Sequence, residues 1–160
     1  ESEKLTLNGP KGTKELNISD KIFSTNISKD NLLSLEPVHV NDKTKIMWGT
    51  TRSILNSAII GVSKGHERIL EMTGVGFRAS IKEKTLSLQL GFSHNTLYQI
   101  PEGINISIEK QNTIKISGID KQQVGSVTAQ IKSLKPVEPY KGKGIKEKGQ
   151  YVLRKEGKKK

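Results

Sequence analysis

The sequence predicts an α+β fold: two similar small domains from an internal duplication, each an antiparallel sheet covered by one helix, plus a basic C-terminal extension. Three observations predict it. Short alternating stretches give way to a helical period, the same order then repeats, and the last residues abandon both periods for charge.

The first stretch, "KLTLNG", alternates Leu5 and Leu7 and stops at the turn dipeptide Gly9-Pro10. "TKELNI" resumes with Leu16 and Ile18, and "KIFSTNI" and "NLLSLEPVHV" follow across the polar "SKD". From Ile54 the apolar positions become Leu55, Ala58, Ile59 and Val62, one face of a helix. Asn41, Asp42 or Thr44 caps its start, and Gly61 or Gly65 ends it.

The pattern restarts with "RILEM" and "FRASI", then "KEK" as a hairpin turn and "LSLQL" as the next strand. "LYQI", "INISI" and "TIKISGI" continue, with Pro101-Glu102-Gly103 as a turn. Asp120 and Gln123 have the spacing of a capping box. Val124, Val127, Ile131 and Leu134 then mark a helix that Pro136 stops. "LTLNG" is echoed by "LQLG", and "WGTTRSI" by "VGSVTAQI". The expected division is therefore 1–65, 66–136 and a tail over 137–160; a single irregular mixed domain is the alternative.

Composition agrees with small cores. Hydrophobic residues make up 32% and aromatics 4%, so two modest aliphatic cores suit the supply better than one thick one. The net charge of +11 is concentrated at the end, where residues 135–160 carry ten Lys/Arg against three Asp/Glu. Such a balance points to a polyanionic partner.

Several functions find no residues to carry them. The chain has no cysteine, and His39, His66 and His94 share no metal-ligand spacing. No cofactor, metal or small-molecule substrate is expected. "GVGFRA" lacks the third glycine and the βαβ setting of a dinucleotide loop, and "GVSKG" falls at a helix end, the wrong pole for phosphate. Glu67, Glu71, Glu83, Glu102 and Glu109 form no acid/base pair, so no catalytic residue is assigned. No apolar run reaches the length of a membrane span, and the tail has no apolar face to lay on a bilayer.

The tail, "PYKGKGIKEKGQYVLRKEGKKK", differs from a plain charge run. Gly142 and Gly144 flank Lys143, so the backbone is free to come close to another surface. Tyr140 offers a ring and a hydroxyl, and the lysines and Arg154 offer charge for phosphates. Its low hydrophobicity predicts that it orders only on a partner.

"EPYKGKGI" with "LRKEGKKK" resembles the C-terminal signature of the sixth large-subunit ribosomal protein family. "LNGPKG", "WGTTRS", "GVSKG", "GVGFRA", "LGFSH" and "GIDKQQVG" are similar to that family's other recurring stretches, in the same order. Val137 and "KEKGQYV" depart from the family pattern, and the chain begins at what corresponds to the family's second strand. The resemblance implies a structural constituent of the large ribosomal subunit, not an enzyme, that binds large-subunit rRNA near the stalk base and the sarcin–ricin region. Neighbouring ribosomal proteins and nearby translation factors are the other implied partners, with no membrane. It implies RNA contact at Tyr140, Lys141, Gly142, Lys143, Gly144, Lys146, Arg154, Lys155, Lys158, Lys159 and Lys160, and also at Arg78, Ser93 and His94. The motifs are similar to the alphaproteobacterial and mitochondrial branch, and the Lys/Asn/Ile-rich text favours the mitochondrial matrix over a bacterial cytoplasm. The rival function is a non-ribosomal adaptor module whose basic tail binds an acidic protein.

Overall fold

The computed structural model describes residues 2–19, 21–27 and 33–157. The chain divides into two compact units, residues 1–65 and 66–160. Among the described residues every strand pairing is antiparallel.

In the first unit, β1 (Ser2–Gly9) and β2 (Gly12–Ser19) form a hairpin in which Leu5 faces Leu16. Its turn is pinned where the Lys11 N–H donates to the Val62 carbonyl at 3.0 Å. Gly9 lies so close to that carbonyl that a Cβ would have no room. A second hairpin joins β3 (Phe23–Ile27) to β4 (Leu33–Pro37). The helix α1 (Asp42–Ser63) starts at the expected cap, where the Asn41 N–H donates to Thr44 Oγ1 at 2.7 Å. Gly65, at φ +82°, follows its last turn. Leu55, Ala58 and Val62 are its buried face, and Leu55 packs with Ile18, Phe23 and Leu35. Trp48 is tied down by its indole N–H, which donates to the Leu35 carbonyl at 2.6 Å.

The second unit holds β5 (His66–Thr73), β6 (Arg78–Lys82), β7 (Thr85–Gln89), β8 (Thr96–Gln99), β9 (Ile104–Lys110), β10 (Thr113–Gly118), α2 (Lys121–Leu134) and β11 (Gly144–Glu147). They form a four-stranded sheet in the order β11-β5-β10-β9 and a three-stranded sheet β6-β7-β8. One sheet per domain was expected; the described residues form two in each unit. Alternation reveals which residues of a strand share a face, but not which strands share a sheet.

Between these sheets and α2 lies one aliphatic core. Leu70, Leu86, Leu88, Ile114, Ile116, Ile131 and Ile145 are fully enclosed in it. The helix buries Val124, Val127 and Ile131 as their spacing predicts, and adds Thr128, whose hydroxyl donates to the Val124 carbonyl at 2.6 Å. Asp120 caps it by accepting from the Gln122 N–H at 3.0 Å. Gln123, expected to complete a capping box, instead donates its amide to the Glu102 carbonyl.

The tail is not wholly a ligand-dependent extension. Residues 144–147 form an edge strand, and Ile145 is 0% exposed. The Ile145 N–H also donates to the Lys135 carbonyl at 2.9 Å, which ties the strand to the end of α2. Enclosing that side chain offsets the ordering of a short polar strand.

Candidate nucleic-acid interface

Strand register brings the sequence-singled residues towards one end of the second unit. Gly144 pairs with Thr73, so residues 138–143 leave the four-stranded sheet beside the loop 74–77. Arg78 pairs with Gln89, which sets the loop 90–95 next to that same loop. Phe77 underpins both loops: its ring lies against Gly74 and within reach of Gly91. Arg78, Ser93 and His94 are exposed there. His94 Nδ1 and the Ser93 hydroxyl are 3.4 Å apart.

The tail's first turn is a closed loop. The Glu138 N–H donates to the Lys143 carbonyl at 2.8 Å, and the Gly142 N–H donates to the Glu138 carbonyl at 3.1 Å. Tyr140, Lys141 and Lys143 project from it into solvent. The second basic run folds back over this loop, with the Lys155 N–H donating to the Pro139 carbonyl at 2.8 Å. A Cβ on Gly142 would meet the Arg154 guanidinium at 3.2 Å. The two runs, separate in sequence, thus form one cationic knot.

That geometry changes the role of the glycines. Gly142 and Gly144 are buried, not open to a partner's backbone. Gly142 has φ +69° beneath Arg154, and Gly144 has φ +142° with the main chain of Pro136 and Val137 filling the place a Cβ would take. Both are glycine because the chain itself needs them.

Lys146 has an acidic neighbour within the chain itself. It lies on β11 opposite Glu71, and its Nζ is 3.5 Å from that carboxylate. Beside it, Glu147 is shared by Arg68 at 3.4 Å and Lys132 at 3.9 Å. These charges fasten the strand to β5 and α2, and partial exposure keeps each pair's contribution small. Lys158, Lys159 and Lys160 lie outside the described residues.

One contact escaped the sequence. Lys135 Nζ sits 4.4 Å from the Phe92 ring centroid, a cation–π pair that joins the end of α2 to the loop 90–95. Forty-three positions separate the two residues along the chain, so no local pattern could signal it. Among the described residues no cluster of three or more His, Cys, Asp or Glu could hold a metal ion, and no helix is long and apolar enough to cross a membrane.

Comparison with known proteins matches residues 73–148 to the family model described as ribosomal protein L6. The large ribosomal subunit protein uL6 of Sphingopyxis alaskensis is 46% identical over 98% of this chain and 87% of its own length. That of Beijerinckia indica is 44% identical over 100% of this chain and 89% of its own length, and that of a Nitratiruptor species 50% over 91% and 80%. These relatives are bacterial, so the expectation of a mitochondrial location finds no support in them. The chain belongs to the ribosomal protein L6 family, as a structural, non-enzymatic constituent of the large ribosomal subunit.

Proposed function

We propose that the chain binds large-subunit rRNA through the exposed end of its second unit and braces the RNA near the stalk base and the sarcin–ricin region. Neighbouring ribosomal proteins and docking translation factors are its companions there. Tyr140, Lys141, Lys143, Arg154 and Lys155 form the main contact, with Arg78, Ser93 and His94 beside it and Lys158, Lys159 and Lys160 extending it. Gly142 and Gly144 act indirectly, by setting the loop that presents these groups. The observation that carries this reading is the convergence of the cationic knot and the loops 74–77 and 90–95, by strand register, at one end of a unit.

The two units are proposed to be copies of one ancestral α+β piece, with 137–160 acting as the RNA-contacting part. Two observations support the duplication: among the described residues each unit has antiparallel hairpins and a single helix, and "LTLNG" and "LQLG" correspond in sequence. Membership of a ribosomal protein family leaves the acidic-adaptor alternative without a feature of its own.

The test keeps the full chain, because cutting at Leu134 would remove Ile145 and open the core. Lys141→Gln/Lys143→Gln is compared with wild type for binding to a large-subunit rRNA transcript across a salt series. Two lost phosphate contacts should flatten the log–log salt slope by roughly 1.4 to 1.8. An unchanged slope and affinity would remove the knot from the interface.

A further inference from the structure

The three-stranded sheet turns one face away from the core, and register decides what that face carries. Arg78 stands opposite Gln89, Ser80 opposite Ser87, and Ser87 in turn opposite Leu97. Lys82 and Gln99 flank Thr85 in the next row. The alternate residues Ala79, Ile81, Leu86, Leu88 and Tyr98 pack into or against the core.

No Asp or Glu lies on this outer face; Glu83 stands beyond it, in the β6–β7 turn. Arg78 and Lys82 have no ion pair among the described residues. In the four-stranded sheet, by contrast, Lys115 is matched by Glu67 at 2.8 Å and Lys146 by Glu71 at 3.5 Å. The outer face therefore has uncompensated positive charge, which suits a polyanion.

Its neutral side chains narrow the class of polyanion. Hydroxyls and carboxamides both donate and accept hydrogen bonds. The short Ser80 and Ser87 in the middle row leave the sheet surface low enough for another surface to lie flat on it. The wide, shallow minor groove of double-helical RNA displays 2′-hydroxyls and base edges to such a surface. Arg78 belongs both to this face and to the loop end described above, so the two surfaces are continuous.

We infer that the outer face of β6–β7–β8 is a second RNA contact, which takes the minor groove of an RNA duplex next to the strand gripped by the cationic knot. This rests on the rRNA-binding reading above. Exposed Leu97, in the same row as the serines, then lies against a ribose.

Ser87→Glu and Ser87→Gln in the full chain separate charge from bulk. With thermal midpoints matching wild type, the glutamate variant should bind the rRNA transcript about tenfold more weakly than the glutamine variant. Arg78→Gln/Lys82→Gln should flatten the salt slope by roughly 1.4 to 1.8. A generic RNA duplex should compete better than a DNA duplex of the same sequence. If Ser87→Glu and Arg78→Gln/Lys82→Gln bind like wild type while Lys141→Gln/Lys143→Gln binds weakly, the sheet contact is refuted and the knot stands. If DNA and RNA duplexes compete equally, the minor-groove assignment is refuted. If none of the variants weakens binding, the rRNA-binding reading itself falls.

Discussion

Gly144→Ala is the sharpest perturbation of the second unit that leaves every charge in place. The backbone there has φ +142°, and a Cβ would sit 2.7 Å from the Pro136 carbonyl oxygen and 2.7 Å from the Val137 α-carbon. Neither neighbour is a flexible side-chain tip, so the strand must move. Holding a non-glycine residue in such backbone costs about 1–3 kcal/mol. Lifting β11 also exposes part of Ile145, whose full burial contributes about 1.5–3 kcal/mol. Taken together, destabilisation by about 2–4 kcal/mol is expected, with a fall in Tm of at least about 8 °C for a unit of this size. Urea unfolding followed by tyrosine absorbance reads the second unit, because Tyr98, Tyr140 and Tyr151 all belong to it. Gly149→Ala supplies the control, since Gly149 has φ +82° but nothing within 4 Å of the place a methyl group would take; it should cost only about 1 kcal/mol. A Gly144→Ala protein within about 0.5 kcal/mol of wild type, a shift within the usual scatter of surface substitutions, would refute the packing account of the tail.

Two further outcomes follow from the same unit. Gly125 lies exposed in the middle of α2 with nothing near it, so Gly125→Ala should stabilise the unit by roughly 0.5–1 kcal/mol in the same urea assay. Burial raises the Tyr98 pKa above the ordinary tyrosine value, and its hydroxyl donates to Gln130 Oε1 at 2.6 Å. The neutral phenol is the favoured form, so its contribution is fully present below the ordinary tyrosine pKa and is lost as pH rises through the raised one. Tyr98→Phe should cost about 1 kcal/mol at neutral pH and reduce the alkaline loss of stability, as measured by thermal unfolding between neutral and strongly alkaline pH.

What the sequence disclosed and what it hid divide along contact range. The face of α2 was legible because Val124, Val127 and Ile131 lie within three turns of one helix. The strands of the hairpins were legible because Leu5 and Leu7, or Leu86 and Leu88, keep a period of two. β11 was hidden: one isoleucine among lysines gives no period, and only the enclosure of Ile145 reveals it. The glycines were visible as a motif but not as a cause, since the reasons for them lie at Arg154 and at the Pro136–Val137 main chain. The candidate RNA residues were likewise found one by one, and only register brought Arg78 and the tail loop to the same end.

That register also bears on how the tail would bind. Fixing a residue's backbone costs roughly 1–2 kcal/mol, and a tail that ordered only on RNA would draw that cost from its binding free energy. Here residues 138–147 are already held by the Glu138–Lys143, Gly142–Glu138 and Lys155–Pro139 hydrogen bonds and by β11. On the proposed reading the exposed cations are therefore presented in advance. Charge and preorganisation then leave different signatures. Removing Lys141 and Lys143 lowers affinity and flattens the salt slope, because phosphate contacts disappear. Gly144→Ala removes no charge; it should lower affinity while the slope stays as in wild type, because the same contacts form from a less ordered start. If Gly144→Ala loosens the tail yet leaves affinity unchanged, order in the free protein serves stability alone, and the RNA reads only the charges.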